Sequence, residues 1–429
     1  MTRVLVAELA GHIGETVKVA GWVNTLRLQR AMQFVLVRDH TGVVQVTWKR
    51  DDGELEALLD GLSIESAVII TGRVVANPIV ALSGLEIIPA AVEVVGRALA
   101  PLPVDEHTGA ERRLDWRHLD LRRRPAARLV FAVQTTVEQA MREFAYSRGC
   151  TELHTPKLMG TASESGAEVF KLGYFGRSAY LAQSPQFYKQ MAIAAGLDRV
   201  FEIGPVFRAE PSFTSRHATE FTGVDAELAW IDGVEDVMAF EEQLMVHAVT
   251  AVAERHGTQI REQLGVEVTV PALPFPRITM AAAQAVLASE PPREDLDPDG
   301  ERRLAAHIAA TTGHEFVFVT DYPASVRPFY HLRPDGQPTL TASFDLLWKG
   351  LEITTGAQRE HRYEVLLRQA AEKGLDPEPM SDYLNCFRYG CPPHGGFGLG
   401  LGRLLMAMLG LESIRDATFL FRGPNRLSP

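Results

Sequence analysis

Two segments in the middle of the chain carry charged side chains in a pattern that suits phosphate or carboxylate ligands. An apolar segment that begins at Phe201 ends in Arg208 and Glu210, and a second strand-like segment returns from Glu220. A hairpin of these segments would hold both charges beside a polar loop, and the planar guanidinium group of arginine matches phosphate and carboxylate oxygens. An exposed hairpin with ordinary surface charges is the alternative interpretation of an isolated Arg-x-Glu pair.

Two further features, nearer the C-terminus, suit a nucleotide. Asp345 and Glu352 flank a tight turn, and such carboxylates can converge on Mg²⁺, which favours one or two carboxylates plus phosphate oxygens. A glycine-rich run at residues 395–402 precedes Arg403; glycines let a backbone approach a ligand, and an arginine at the start of a helix can cover a nucleotide face. A solvated acidic pair is the commoner interpretation in an arbitrary sequence, and the run lacks the Lys-Ser/Thr ending of a P-loop.

The elements that must position these side chains fall into two regions. Residues 1–97 contain five strand-like segments separated by turn signals, with a predicted helix at 53–60, a pattern that fits a five-stranded Greek-key barrel of the oligonucleotide-binding kind. Residues 98–125 begin with prolines, continue with arginines and are predicted to form a hinge or linker. Residues 126–429 alternate strand-like runs with helical periodicity, which predicts a second, larger α+β domain. Its helices are predicted at 126–146, 234–255 and 362–373.

Composition limits the classes of function. The formal net charge of −11 counts against a nucleic-acid partner, but seven arginines lie within residues 112–128. A docked polyanion and a solvated linker with carboxylate partners elsewhere fit that charge pattern equally. Three cysteines without paired CxxC spacing indicate neither a disulfide framework nor a zinc site. No signal-peptide pattern or long apolar run is present, so we expect a cytoplasmic protein.

The hairpin segment resembles motif 2 of class II aminoacyl-tRNA synthetases. Its Phe-Arg-Ala-Glu…Arg-His…Glu-Phe form is typical of the aspartyl, asparaginyl and lysyl subgroup. The resemblance implies that Arg208 holds the α-phosphate of ATP and that Glu210 lies near the adenine amine. It further implies that His217 lies by the β- and γ-phosphates and that Phe221 stacks on the adenine ring.

The glycine-rich run closely resembles motif 3 of aspartyl-tRNA synthetases, together with its flanks at residues 389–394 and 420–427. Arg403 then corresponds to the arginine that stacks on ATP. Asp345 and Glu352 match the family's metal-binding carboxylates, which implies Mg²⁺ bound with ATP and adds ATP binding to the role of Glu352. Arg208 and Arg403 are the catalytic candidates, since reactions at phosphorus depend on positioning and charge stabilisation.

Residues 183–190 resemble the Gln-Ser-Pro-Gln-x-x-Lys block of aspartyl enzymes. The resemblance implies that Gln186 and Lys189 contact L-aspartate, that Asp225 lies near its ammonium group, and that Arg359 grips its side-chain carboxylate. Aspartate and asparagine are nearly isosteric, so charge rather than size must separate them. Glu164 matches the residue that senses the ammonium group from the family's mobile loop, although Ser163-Glu164-Ser165-Gly166 departs from the common Thr-Glu-Gly-Gly pattern.

In the barrel, Phe34 and Gln45 fall where aspartyl enzymes contact the middle anticodon base, with a barrel-core phenylalanine as the alternative for Phe34. The resemblance covers almost the whole chain. It implies an aspartate–tRNA ligase with an anticodon-binding barrel and an antiparallel catalytic sheet flanked by helices. The segment between the ATP motifs is short, as in the compact archaeal-type form. Motif 1, the helix from Ala126 and the strand ending at Pro156, implies a homodimer.

Two other functions remain open from the sequence. An asparaginyl-tRNA synthetase would share motif 2 but is expected to lack the block with Gln186 and Lys189, and a non-catalytic relative would bind tRNA without chemistry. The partner tRNA-Asp is expected, and tRNA-Asn is open, because recognition of the third anticodon base falls to barrel loops at 26–32 and 76–83. The second loop, with Asn77-Pro78, offers no Lys or Arg. Arg27, Gln29 and Arg30 in the first loop could still discriminate at this base, but the second loop favours the relaxed form, whose Asp-tRNA-Asn feeds an amidotransferase.

Overall fold

The computed structural model describes residues 2–49, 61–161, 168–288 and 293–429. The chain divides into two compact units, Met1–His107 and Thr108–Pro429. The division lies within the segment 98–125 that the sequence assigned to a linker. The helix predicted at 53–60 and the predicted ligand Glu164 lie outside the described residues.

The first unit is a closed five-stranded barrel in the order β1-β2-β3-β5-β4. Its strands are β1 Thr16–Leu28, β2 Met32–Arg38, β3 Val43–Lys49, β4 Ala67–Ala76 and β5 Leu85–Gly96. Alternate residues of each strand face the interior, where Val35 and Val37 pack with Leu9 of the 3₁₀-helix Val6–His12. The predicted barrel is therefore confirmed.

The arginine-rich segment enters the second unit as two short helices. These are α1 Ala110–Asp115 and α2 Arg117–Arg123. The buried carboxylate of Asp120 lies 3.6 Å from Arg113, 2.8 Å from Arg117 and 3.1 Å from Arg124. Arg117, itself buried, also donates to backbone carbonyls near the C-terminus. Three of the arginines thus have carboxylate partners, as one of the two interpretations expected.

The second unit is built on an eight-stranded sheet in the order β12-β13-β14-β15-β16-β11-β10-β6. Its strands are β6 Thr151–Glu152, β10 Arg199–Phe207, β11 Glu220–Ala229, β12 Arg277–Thr279, β13 Phe316–Thr320, β14 Ser343–Trp348, β15 Leu351–Arg359 and β16 His394–Gly400. A smaller sheet contains β7 Leu158–Met159, β8 Lys171–Tyr174 and β9 Arg177–Leu181. Neighbouring strands of the large sheet are antiparallel except at its two edges, so the predicted antiparallel architecture is confirmed.

Helices flank the large sheet. They are α3 Pro125–Ser147, α4 Gln186–Ala194, α5 Val234–Leu264, α6 Met280–Leu287, α7 Pro298–Thr312, α8 Tyr363–Glu372, α9 Ser381–Asn385 and α10 Leu401–Leu409. The largest core packs apolar residues of α3, α5 and α10 against one face of the sheet, including Val224, Phe397 and Leu399. On the opposite face, Val317, Val319 and Leu347 near one edge of the sheet pack against α6 and α7, and the strands nearer its middle carry polar side chains. Among the described residues, no helix is both long and apolar enough to cross a bilayer.

Candidate active site

A cavity of about 330 Å³ lies on the polar face of the large sheet. Within the described part of the chain, five arginines and three carboxylates contribute to its wall; they are Arg208, Arg216, Arg327, Arg359 and Arg403, and Glu210, Asp225 and Glu352. The chain as a whole carries a formal charge of −11. The wall therefore presents several guanidinium groups to a ligand, which suits phosphate and carboxylate oxygens.

The alternation of β11 and β16 explains how carboxylates reach this cavity. On β11, Val224 and Ala226 point into the core, so Asp225 and Glu227 point to the opposite face. The paired strand β16 carries glycines opposite them. A Cβ added to Gly396 would lie 2.3 Å from Oε2 of Glu227, and one added to Gly398 would lie 3.2 Å from Oδ1 of Asp225. The glycines of motif 3 therefore leave room for two buried carboxylates.

Four buried charges form a compact cluster at one end of the cavity. The ammonium group of Lys189 lies 2.9 Å from Asp225 and 3.3 Å from Glu227, and Nε of Arg359 lies 2.9 Å from Glu227. The positive charges of Arg359 and Lys189 outweigh burial and lower the pKa of Glu227 below its ordinary value. Two cations and two anions balance here, so the cluster is neutral before a ligand arrives.

Arg359 is held in one orientation by three groups. Its Nε donates to Glu227 at 2.9 Å, its Nη2 donates to the carbonyl of Gly396 at 2.9 Å, and its Nη1 contacts His331 at 3.0 Å. A guanidinium group has five N–H donors, and these contacts use one on each nitrogen. Among the described residues no further partner takes the remaining N–H on each terminal nitrogen, and a pair of that kind matches a carboxylate.

The other end of the cavity gathers the predicted ATP-binding side chains. The guanidinium of Arg208 lies 5.5 Å from the ring centre of Phe221 and 4.0 Å from Glu210. Nη2 of Arg403 lies 3.4 Å from Nε2 of His217, whose other ring nitrogen contacts Thr214. The hairpin β10–β11 and the first turn of α10 thus converge on one space, as the sequence predicted.

The neighbouring arginines influence the pKa values of His217 and Glu352. Burial, and then the charges of Arg403 and Arg216, lower the pKa of His217, so this ring is neutral at pH 7. Burial acts to raise the pKa of Glu352, but Arg403, Arg327 and Arg216 outweigh it and lower that pKa. Arg403 also lies 3.4 Å from a carboxylate oxygen of Glu352.

The two carboxylates predicted to bind metal lie on neighbouring strands joined by Lys349 and Gly350, which have φ of 52° and 77°. Two successive residues with positive φ suit a tight hairpin turn. Glu352 contributes to the cavity wall, whereas Asp345 lies behind Arg327, which donates to its Oδ2 at 2.6 Å. The other oxygen of Asp345 is buried and has no hydrogen-bond partner among the described residues.

The barrel presents its own candidate binding face. Phe34 is half-buried and lies outside the packed barrel core, so the core interpretation is wrong. The strand register pairs Phe34 with Arg27 on one side and with Thr47 on the other, which places all three on one face. Gln45 lies on the same face and donates to Thr47 at 3.1 Å and to Glu86 at 3.2 Å.

Comparison with known proteins identifies the family. Residues 109–422 match the family of class II tRNA synthetases (D, K and N), and residues 17–95 match the OB-fold nucleic acid binding domain. The aspartate–tRNA(Asp/Asn) ligase of Aeropyrum pernix is 42% identical, with 99% of this chain and 98% of that protein covered. The chain belongs to the aspartate–tRNA ligase family. The aspartate–tRNA(Asp) ligase of Pyrococcus furiosus is 43% identical, with 97% of each chain covered.

The fold is also shared with the asparaginyl enzyme that the sequence left as an alternative. The crystal structure of asparaginyl-tRNA synthetase from Pyrococcus horikoshii, complexed with asparaginyl-adenylate, matches with a TM-score of 0.92 and 35% identity over 100% of both chains. The aspartate–tRNA ligases are more similar in sequence. The predicted family, fold class and enzyme class are therefore confirmed.

Within this aspartate–tRNA ligase, the cavity brings together most of the side chains chosen from the sequence. Those that line it are Gln186, Arg208, Glu210, His217, Phe221, Asp225, Glu352, Arg359 and Arg403. Of the other described candidates, Lys189 and Asp345 lie behind this wall, bound to Asp225 and Arg327.

The structure adds polar residues to which the sequence analysis gave no role. Glu227 binds both Arg359 and Lys189, and its spacing of two from Asp225 on a strand would have placed it on the same face. Glu301 on α7 binds Arg216 through both carboxylate oxygens at 2.8 Å. Nothing in the local sequence indicated these residues, because Arg327 and His331 reach the cavity, and Glu301 reaches Arg216, from distant segments.

Proposed function

We propose that this chain activates L-aspartate at the observed cavity and transfers it to both tRNA-Asp and tRNA-Asn. The observation that carries the amino-acid choice is Arg359, which is 3% exposed and fixed by Glu227, with one donor on each terminal nitrogen left for a ligand. A side-chain carboxylate of aspartate satisfies both donors. The amide of asparagine offers a single acceptor and leaves the other donor facing an N–H.

The remainder of the amino acid lies over the charged cluster in this proposal. Asp225 receives the ammonium group, and Gln186 lies beside it in the wall. Lys189 acts through Asp225, which it holds at 2.9 Å, rather than by direct contact. Glu164 completes the ammonium site from the loop that the described residues do not include.

ATP lies at the opposite end, with adenine against Phe221 and its amine near Glu210. Arg208 binds the α-phosphate, and His217 lies by the β- and γ-phosphates as a neutral ring. Arg403 stacks on the nucleotide. The α-carboxylate of aspartate attacks the α-phosphorus in line, pyrophosphate leaves, and the arginines stabilise the charge that develops on the phosphoryl oxygens. The aspartyl group then passes to the 3′ end of tRNA.

Class II synthetases use ATP, and the carboxylates of this cavity fit Mg²⁺ as its companion ion. Asp345 has one buried oxygen without a hydrogen-bond partner among the described residues, and Glu352 reaches the cavity with its pKa lowered. No cluster of three or more metal-binding side chains occurs in the described residues, in keeping with an ion held mainly by phosphates and water. When bound, the ion neutralises phosphate charge. Arg327 offsets the charge of Asp345 in its absence.

The barrel face supplies the tRNA contact in this proposal. Phe34 stacks on the middle anticodon base, Gln45 hydrogen-bonds to that base, and Arg27, exposed beside Phe34, meets the phosphate backbone. Relaxed choice at the third base is supported by the loop at 76–83, whose Ile79 and Leu82 are 91% and 55% exposed but which has no cation. Relatives named aspartate–tRNA(Asp) ligase and relatives named aspartate–tRNA(Asp/Asn) ligase have similar sequence identity to this chain.

Three further proposals follow from the family. The chain forms a homodimer through the motif 1 region around α3, it works in the cytosol, and its Asp-tRNA-Asn is converted to Asn-tRNA-Asn by an amidotransferase. Sedimentation of the purified protein tests the first of these directly: a monomer at micromolar concentration would contradict it.

The test of the proposed function is aminoacylation of purified tRNA-Asp and tRNA-Asn with labelled L-aspartate, alongside ATP–pyrophosphate exchange with aspartate or asparagine. We expect exchange with aspartate alone and kcat/KM values for the two tRNAs within about tenfold. ATP–pyrophosphate exchange that depends on asparagine would show that asparagine, and not aspartate, is the amino-acid substrate. A hundredfold preference for tRNA-Asp, about 2.7 kcal/mol of discrimination, would show that the barrel loops read the third base.

A further inference from the structure

His331 is fixed beside Arg359 in the wall of the cavity. Its side chain is buried, and its Nε2 lies 3.0 Å from Nη1 of Arg359. The backbones of the two residues form an antiparallel bridge, and the adjacent Leu332 donates to the carbonyl of Gln358 at 3.0 Å. The contact between the ring and the guanidinium is thus set by strand pairing and not by flexible side chains.

This contact determines where the ring carries its proton. A guanidinium group can only donate hydrogen bonds, so Nε2 of His331 must accept. Burial, and then the charges of Arg359 and Arg327, lower the pKa of His331 well below its ordinary value, so the ring is neutral. A neutral ring that accepts at Nε2 carries its hydrogen on Nδ1.

That Nδ1–H is buried and has no hydrogen-bond partner among the described residues, while His331 is one of the residues that line the cavity. Buried polar groups are rarely left unsatisfied, because an unpaired donor costs the free energy of its desolvation. The missing acceptor is therefore expected from the ligand that fills the cavity beside Arg359.

We propose that His331 is a specificity residue that donates from Nδ1 to the side-chain carboxylate of bound L-aspartate, with its tautomer fixed by Arg359. The inference rests on the proposed placement of that carboxylate at Arg359. A free histidine can present a donor or an acceptor and would accommodate an amide equally well. Here Arg359 removes that choice, so Arg359 and His331 both offer only donors and disfavour the NH₂ group of asparagine.

Two nearly isosteric variants test the two ring nitrogens of His331 separately. In His331→Asn the side-chain amide lies at the position of Nδ1 but does not reach Arg359. The amide can therefore rotate and present either its nitrogen or its oxygen to the ligand. We expect aspartate use to persist and the aspartate-to-asparagine ratio of kcat/KM in ATP–pyrophosphate exchange to fall about tenfold or more. His331→Gln places its amide at the position of Nε2 and leaves none at Nδ1. We expect the KM for aspartate to rise about tenfold, with kcat and the KM for ATP nearly unchanged.

His331→Phe keeps the ring volume and removes both functions. An aspartate KM and an aspartate-to-asparagine ratio within about twofold of wild type in this variant would overturn the inference. The proposed function is tested separately by the wild-type protein: absence of aspartate-dependent exchange there contradicts the function itself. Wild-type exchange together with an indifferent His331→Phe contradicts only the role of His331.

A measurement on the wild-type protein covers the case in which the variants fail to fold. Nitrogen NMR of ¹⁵N-histidine-labelled protein, with His331 assigned through bonds, reports the tautomer of its ring. We expect the proton on Nδ1, and a shift of the Nδ1 signal when L-aspartate is added but not when L-asparagine is added. A proton on Nε2, or equal responses to the two amino acids, would overturn the inference.

Discussion

Replacing Arg359 by leucine removes the residue that we propose selects aspartate. The substitution deletes two N–H donors proposed for the aspartate carboxylate, and hydrogen bonds to charged groups contribute about 1.5–3 kcal/mol each. The expected loss is about 3–6 kcal/mol, or about 150-fold to 25,000-fold in kcat/KM for aspartate. The KM for ATP should change little, because the phosphate site lies at the other end of the cavity.

The same substitution destabilises the protein. Glu227 is fully buried and would keep only Lys189, at 3.3 Å, as a cationic partner. Removing one member of a buried ion pair costs about 3–5 kcal/mol. Because Lys189 remains, we expect the lower end of this range. The double variant Arg359→Leu/Glu227→Gln removes the unbalanced charge, so it should recover most of the lost stability without recovering aspartate use.

The pH dependence of the stability loss follows from the pKa of Glu227. In wild type, Arg359 and Lys189 hold this pKa below the ordinary 4.5, so the stabilisation is present above pH 4.5 and disappears as the pH falls through the lowered value. In Arg359→Leu, burial raises the pKa of Glu227. The gap in melting temperature between wild type and variant should therefore narrow from pH 7 toward pH 4.5.

Steady-state ATP–pyrophosphate exchange and melting curves measure these effects. Near-normal aspartate kinetics in Arg359→Leu would refute the carboxylate site. A double variant that recovers aspartate use along with stability would show that Arg359 serves only to balance Glu227.

Four other substitutions test separate parts of the molecule. Arg208→Ala and Arg403→Ala should each abolish adenylate formation and leave tRNA binding intact, since their proposed partners belong to ATP; normal exchange in either variant contradicts its assignment. Phe34→Ala should weaken tRNA binding by about 1–3 kcal/mol, or about 5- to 150-fold, with aspartate activation unchanged; unaltered tRNA affinity would remove Phe34 from the anticodon site. Burial, with Glu242 and Asp345 nearby, raises the pKa of Glu241 to about 8, so folded Glu241 is mostly protonated at neutral pH. Wild type therefore loses stability as the pH rises from the unfolded glutamate value of 4.5 through 8. Glu241→Gln should gain melting temperature relative to wild type over that interval, and a constant difference between pH 5 and 8 would contradict it.

Local sequence patterns were sufficient for the barrel strands and for three helices of the second unit, and the motifs named most of the polar residues that line the cavity. Strand alternation predicted the five-stranded barrel, and helical spacing predicted α3 and the longer α5. The motifs named Arg208, Phe221 and Arg403, which line the same cavity in the structure. Each of these residues lies in or beside a strand or helix whose ends are determined by nearby residues. These features depend on contacts between residues close in sequence, which a pattern of residue types records directly.

Only the tertiary structure decided how the buried charges are partnered. Arg359 contacts Glu227 because β16 lies between β15 and β11 in the sheet. The sequence of a single strand does not predict this order. Asp345 is covered by Arg327 and Lys189 stands behind Asp225 for the same reason: in each pair the partners come from separate segments. A buried charge requires a partner, but sequence cannot say which one, because the choice depends on which distant strands become neighbours. The sequence thus determined which chemical groups are present, and the sheet order determined which of them face the cavity and which hold the others in place.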